Sequence, residues 1–395
     1  MRLFDVVTVP ISEERLIQFT DEGQEGASPQ VAPLPEAKRY NKTKLAVSLV
    51  ETILSFAVIL FVLLSGYSTR LERFSFSMAT SPYIALLIFA AALGLITGIV
   101  SFPLGFYSGF ILEHKYQLSN QTLRQWLWEH VKALLVSIPI AMPLLLVFYF
   151  FLREYQAQWW LPVAIVMFMF SVLLSKIAPI VIMPLFYKVI PLEEGELKEK
   201  ILALCSETKM NVKGIFTFNL SKTTKKANAG FTGIGKSKRI ILGDTLMQHF
   251  SNDEIETVFA HELGHYVHGH IRKGILVGTL SIFIGLYATS FLYSMSLNWF
   301  GFSSPAQLAA LPLLTLWLGI YSLVTSPLSN MLSRKYEFQA DRYAIQRTGK
   351  KEAFISTMKK LAEMNLADTA PHPLVEFLFY SHPSIEKRIH VAEKL

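Results

Sequence analysis

Residues 259–270 read FAHELGHYVHGH, four histidines and one glutamate within twelve positions. His261-Glu262-Leu263-Gly264-His265 is an H-E-x-x-H run. On a helix, a spacing of four sets two imidazoles one turn apart on one face, where they can share one ion. Glu262 then lies beside them, placed to take a proton from water. That is zinc-hydrolase chemistry, and a catalytic zinc takes three protein ligands and one open position. His268 sits on the same face but seven residues from His261, about 10 Å of helical rise, so one ion does not reach both. Both His268 and His270 can be polar residues at a membrane boundary, the better reading for His268; the alternative for His270 is that it helps shape the site. The third ligand must come from another segment. YEFQADRYA (336–344) carries Glu337 and Asp341 one turn apart. One carboxylate can bind metal while the other accepts the N–H of a ligating histidine. The plainer alternative is a solvated acidic helix face flanked by Arg334, Lys335 and Arg342.

These residues need elements to hold them. SNDE (251–254) is a capping box, Ser251 capping and Glu254 answering three residues on, and it starts the helix that carries H-E-x-x-H. Residues 195–208 read as a helix. GIFTFNL (214–220), ANAGFTGI (227–234) and RIILGD (239–244) read as short strands of a small sheet. After the apolar runs, 334–348 and 351–366 read as helices, and a last helix is expected from HPSIEKRI, with Pro383 in its first turn.

The rest of the chain suits lipid rather than water. Of 395 residues, 52% are hydrophobic and 17% charged, against about a quarter charged in soluble domains. Six apolar runs, at roughly 45–64, 83–106, 133–152, 159–187, 274–297 and 306–332, each reach the ~20 residues that cross a bilayer core. Glu51 and Lys176 lie inside spans, where charges face a cavity or a partner, or snorkel. Pro179 and Pro184 are expected to kink the fourth span. Lys and Arg alternate between richer and poorer connections, which places the N-terminus, 188–273 and 334–395 on the cytoplasmic side. The net charge of +7 follows from that rule, so no nucleic-acid partner is expected. Residues 1–40 lack the pattern of a signal peptide, and 1–42 read as a flexible tail. Cys205 is the single cysteine, in keeping with a reducing side of the membrane.

The fold class expected is an α-helical integral membrane protein with about six transmembrane helices and a small α+β cytoplasmic protease region. In chain order, spans one to four occupy 43–187 and spans five and six occupy 274–333. The protease region is divided between 188–273, with the edge strand and the H-E-x-x-H helix, and 334–395, with the third-ligand candidates and the C-terminal helices. The pairing of HELGH with EFQAD resembles the Ste24-type CAAX prenyl proteases, integral-membrane zinc metalloproteases of family M48. SNQTLRQW (119–126), PLFYKVIPLEEGELKEKI (184–201), KKANAGFTGIGKSKRIILGDTL (225–246) and YSHPSIEKRI (380–389) extend the resemblance over roughly 40–395.

The resemblance implies one Zn2+ per chain, held by His261, His265 and Glu337, with Glu262 as general base and acid. It implies Asp341 behind the ligands, His382 steadying an oxyanion, and Arg388 paired with an acidic group near the metal. Asn228 and Ala229 match an Asn-Ala pair on an edge strand that binds substrate backbone. A chamber ringed by tilted helices, a lipid bilayer, and a peptide or prenylated protein substrate are implied with them. Eukaryotic members have seven spans and this chain shows six, the first being absent. Two rival readings use the same residues. One is a quality-control protease of the heat-shock membrane type, a group usually shorter and with fewer spans. The other is a transporter or scaffold with an inactive protease site.

Overall fold

A computed structural model describes residues 35–208, 214–232 and 239–395. The expected tail over 1–34 lies outside the described residues. Six helical segments are long and apolar enough to cross a bilayer: Pro35–Leu64, Pro82–Lys115, Leu123–Glu154, Gln156–Phe186, His270–Phe300 and Leu308–Thr348. Helix α1 (Pro35–Leu64) is followed by a short α2 (Tyr67–Met78). Helix α3 (Pro82–Phe106) runs through a π turn into α4 (Leu112–Lys115), and α5 is Leu123–Glu154. Helix α6 (Trp160–Ile177) meets a second π turn at Ala178–Ile182 before α7 (Met183–Phe186). Pro179 sits in that turn, where its missing N–H leaves the helical ladder one bond short.

Helix α1 begins at Pro35, eight residues before the expected boundary at 43. Its first turns are polar in sequence yet packed: Tyr40 is buried, its hydroxyl donates to Glu113 at 2.6 Å, and Asn41 donates to the Leu366 carbonyl at 2.6 Å. The partners lie far away along the chain, so no local pattern reveals them.

For five of the six spans, only 6–17% of the most apolar window is buried within the protein. Helices in a solid bundle bury a full face, so these meet along narrow seams and leave space between them. A cavity of about 550 Å³ lies inside, lined in part by Lys44, Glu51, Glu113, Lys226 and Asn228. Glu51 therefore faces the cavity. Lys176 is exposed in the last turn of α6, where its stem can reach polar surroundings. At one end of the spans an apolar core gathers around Leu86, Tyr149, Trp159, Tyr293 and Leu313.

A second core sits at the other end, built from Ile201, Ile240, Leu242, Phe259, Leu263, Ala344, Phe354 and Ile389. It joins α8 (Glu196–Glu207) to a four-stranded sheet in the order β1-β2-β4-β3. The strands are β1 (Val189–Pro191), β2 (Ile215–Phe218), β3 (Ala229–Thr232) and β4 (Arg239–Gly243). Strand β2 runs parallel to β4, and the other two pairings are antiparallel, which leaves β3 at an edge. After α9 (Asp244–His249) come α10 (Asn252–Val267) and α11 (His270–Ser296). Helix α12 (Leu311–Thr348) is one unbroken helix of 38 residues, about 57 Å long. The sequence reading divides it into a span and a separate helix at Arg334. The backbone continues because nothing from Leu328 to Thr348 is Pro or Gly. Helices α13 (Lys351–Met364), α14 (Pro373–Phe379) and α15 (Ile385–Glu393) complete the chain.

Candidate metal centre

Helix α10 starts at the expected capping box. The Glu254 amide donates to Ser251 Oγ at 3.3 Å, and the Ser251 amide donates to Glu254 Oε2 at 2.8 Å. The helix then runs against α12, and Gly264 sets how closely. A Cβ on Gly264 would lie 2.9 Å from Ala340 Cα and 3.1 Å from Tyr343 Cβ. The glycine inside HELGH thus admits the backbone of EFQAD, and this brings Glu337 to the two histidines.

His261 Nε2 and His265 Nε2 are 3.1 Å apart. Glu337 Oε2 lies 3.3 Å from the first, and Glu337 Oε1 lies 3.3 Å from the second. Zinc with ligand bonds of ~2.0–2.1 Å in tetrahedral geometry requires ligand atoms about 3.3 Å apart. Three side chains on two helices meet that requirement. Among the described residues, buried Glu337 Oε2 makes no well-formed hydrogen bond, its nearest donors being His261 Nε2 at 3.3 Å and Arg388 Nη1 at 3.6 Å, and a cation in the triangle would satisfy it. The donor set of two imidazoles and one carboxylate suits zinc.

Each histidine is oriented from behind. His261 Nδ1 is 2.8 Å from Asp341 Oδ1, so its N–H donates there and Nε2 faces the triangle. Asp341 in turn accepts from Arg388 Nε at 2.8 Å and Nη2 at 2.5 Å. Burial alone would push the His261 pKa down, but the carboxylates of Glu337 and Asp341 prevail and hold it up at about 10. The metal-free ring therefore carries a proton that a metal must displace.

His265 is oriented differently. Gly269, at a left-handed φ of 67°, turns the chain between α10 and α11 and brings His270 back towards the site. His270 Nδ1 is 3.0 Å from His265 Nδ1, and its Nε2 is 2.8 Å from Gln339 Oε1. The ring stacks on Tyr336 at 4.2 Å. A carbonyl oxygen only accepts, so His270 carries its hydrogen on Nε2. Its Nδ1 then accepts from His265 Nδ1–H, which leaves the His265 Nε2 lone pair facing the triangle. His270 thus sits behind His265, in line with the second of its two sequence readings rather than with a plain boundary residue; Gln339 and Tyr336 were not singled out from the sequence. No periodicity marks them, because they flank Glu337 on α12 and meet His270 only through the turn at Gly269. His268 contributes no atom to the triangle.

The C-terminal segment reaches the same point. His382 Nε2 lies 3.5 Å from Glu337 Oε1, and Ser381 Oγ is 3.0 Å from His382 Nδ1. The imidazole is 62% exposed. Burial lowers its pKa, against the pull of Glu337. The neutral ring keeps an N–H at Nε2 when Ser381 donates to Nδ1. Arg388 Nη1 is 3.6 Å from Glu337 Oε2. Pro383 does not lie in the first turn of the last helix. Ser384 is the N-cap, its amide held by Glu376 Oε1 at 3.2 Å, and α15 starts at Ile385.

Ala229 opens β3 opposite Leu242 and packs on the core that contains Phe259 and Leu263. Asn228, immediately before it, lines the cavity. The preceding segment is tied to the membrane helices: Lys226 Nζ lies 3.3 Å from Glu113 Oε2, and Thr224 Oγ1 donates to the Leu118 carbonyl at 3.2 Å. Glu262, on α10 between the two ligand histidines in sequence, is half-buried.

The chain matches Peptidase family M48 over residues 191–395, and the family described as "CAAX prenyl protease N-terminal, five membrane helices" over 32–188. Four of the six candidate spans fall in the second region, one fewer than that description. The Bacillus subtilis (strain 168) protein named "Uncharacterized metalloprotease YhfN" is 33% identical over 365 residues, 91% of this chain and 85% of that protein. CAAX prenyl protease 1 of Saccharomyces cerevisiae is 31% identical over 331 residues, 78% of this chain and 73% of the relative. The crystal structure of S. mikatae Ste24p superposes with a TM-score of 0.81 at 27% identity, covering 93% of each chain. Two adjoining family matches therefore account for the membrane half and the hydrolase half of one architecture, and the chain belongs to peptidase family M48 as a Ste24-type membrane metalloendopeptidase.

Proposed function

We propose that this protein binds one zinc ion through His261, His265 and Glu337 and cuts a peptide bond near the C-terminus of a prenylated protein. The observation that carries the reading is the meeting of three side chains: the two histidine Nε2 atoms lie 3.1 Å apart, and each has one Glu337 carboxylate oxygen 3.3 Å away. When bound, zinc supplies Lewis acidity to a carbonyl oxygen and to water. Glu262 takes the proton from the attacking water and delivers it to the leaving amine. His382, neutral and donating from Nε2, steadies the oxyanion that develops on the scissile carbonyl. Asn228 and Ala229 present the open edge of β3, where an extended substrate adds as a further strand. Asp341 holds the Nδ1–H of His261, and Arg388 balances the charge of Asp341.

The membrane region comprises 43–187 and 274–333, and the protease region 188–273 and 334–395, with α1 reaching back to Pro35. The lysine-rich connections support a protease region on the cytoplasmic side. Prenylated substrate is supported by the CAAX prenyl protease relatives, whose substrate carries its lipid into a bilayer-embedded enzyme.

The test gives zinc-loaded protein three substrates: a farnesylated C-terminal peptide, its unprenylated twin, and an unfolded membrane protein. Release of a tripeptide from the lipidated peptide alone, lost in Glu262→Gln, is the expected result. Equal cutting of all three would replace the prenyl reading with quality control. Cutting that survives Glu262→Gln would overturn the proton-transfer assignment.

A further inference from the structure

Helix α12 carries one stripe whose chemistry changes abruptly along its length. Val324, Leu328, Met331, Lys335, Phe338 and Arg342 are spaced by four, three, four, three and four residues, so they share a face. The first three are exposed apolar side chains at 67%, 58% and 54%. The stripe turns basic just past Met331, beside Arg334, and the neighbouring α11 changes in the opposite sense just after Arg272 and Lys273. Both helices therefore mark the same level as the edge of the hydrocarbon. Lys335 lies about 6 Å beyond Met331 along the axis, within the headgroup layer of about 5–7 Å. Arg342 is farther out, but helical side chains lean towards the N-terminus, here towards the lipid.

At this level a groove of about 610 Å³ opens, with Met331 and Phe338 among its apolar walls and Arg334, Lys335, Arg342 and His268 among its polar ones. No carboxylate lines it. Both Lys335 and Arg342 are exposed, and among the described residues no carboxylate of the groove faces either. Arg334 donates to the carbonyls of Glu376 and Tyr380, which neutralise no charge. A cationic groove with an apolar floor at the hydrocarbon edge fits an amphiphile with an anionic head.

We propose that this groove is a binding site for an anionic phospholipid, its phosphate between Lys335, Arg342 and Arg334 and its acyl chain along Met331, Leu328 and Val324. Charge complementarity alone would suit a free phosphate as well. The continuous apolar stripe beneath the basic residues decides for the lipid, because a free anion makes no use of it. The site lies outside the metal triangle, though Gln339 borders both.

The test uses full-length, zinc-loaded protein in bilayers of phosphatidylcholine containing a minor fraction of phosphatidylglycerol, with retained lipid read by native mass spectrometry. The wild type is expected to retain phosphatidylglycerol in preference to phosphatidylcholine. Lys335→Gln/Arg342→Gln removes two cations worth about 1 kcal/mol each near an anionic surface, so the preference should fall about thirtyfold. Lys198→Gln/Lys394→Gln, which removes equal charge elsewhere, should leave it unchanged. Absence of preference in the wild type overturns the proposal, as does an equal loss in both double variants. Displacement of the phospholipid by inorganic phosphate overturns it too, since the groove would then be a plain anion site.

Discussion

The hydrogen-bond chain from Gln339 through His270 to His265 makes a sharp prediction, because its polarity decides whether His265 can bind a metal. With Gln339 Oε1 accepting from His270 Nε2–H at 2.8 Å, His270 Nδ1 must accept from His265 Nδ1–H at 3.0 Å. The reverse polarity places a hydrogen on His265 Nε2, between that atom and the ion. His270→Ala removes the acceptor and leaves the tautomer unselected. Outer partners of ligating histidines are worth about 10–100-fold in metal affinity, about 1.4–2.7 kcal/mol. Gln339→Met is uncharged, similar in length and unable to accept strongly, so it should lose a smaller part of the same factor. Gln339→Glu keeps an acceptor at that place and should bind zinc at least as well as the wild type. The assay is competition with a fluorescent chelator at fixed pH and salt on solubilised protein, which reads zinc affinity without reference to activity. If His270→Ala and Gln339→Met both stay within about twofold of the wild type, well short of that range, the tautomer relay is wrong.

Three further outcomes follow from packing and charge. Gly264→Ala forces a methyl to 2.9 Å from Ala340 Cα; the separation of α10 from α12 should cost about 1–3 kcal/mol, with zinc stoichiometry falling alongside the unfolding temperature. Arg388→Ala leaves the buried carboxylates of Asp341 and Glu337 with only the protonated His261 between them in the metal-free protein, a change expected to cost about 3–5 kcal/mol, and thermal unfolding of the metal-free protein measures it. Burial alone would raise the pKa of Glu254, but hydrogen bonds from Lys360, Ser356 and the Ser251 amide prevail and hold it below the usual range. A depressed carboxylate contributes stability that is present above its unfolded pKa of ~4.3 and lost as pH falls through its folded value. Glu254→Gln should therefore be less stable than the wild type by about 1–3 kcal/mol near neutrality, and the two should converge when unfolding is followed down through the acid range.

The features of this architecture that lipid and metal dictate were legible in one dimension. Six runs of apolar residues became six spans because a bilayer allows a backbone little choice but helix. The spacing of His261 and His265 fixed one edge of the ligand triangle, since four residues make one turn. The same spacing offered both Glu337 and Asp341 without deciding between them. The decision depends on the depth at which α12 crosses α10, which Gly264 and Ala340 set by close approach and no periodicity records. Strand β1, three residues long, escaped notice because it exists only through its pairing with β2. The first turns of α1 read as loose tail because Lys38, Arg39 and Lys42 dominate their composition, while Tyr40 and Lys44 find Glu113 some seventy residues away.

Helix α12 shows what such long-range facts mean for function. Its apolar half lies in the membrane and its polar half delivers Glu337 and Asp341 to the metal triangle, with no break between them. A separate soluble domain on a linker would place its third ligand independently of the bilayer. Here Glu337 lies on the same continuous helix, ten residues past Pro327, so a tilt of the last span that is not taken up at the proline moves Glu337 relative to His261 and His265. Gly264 against Ala340 and Asp341 against His261 resist that movement at the crossing itself. The geometry of hydrolysis is thereby set by packing at the membrane surface.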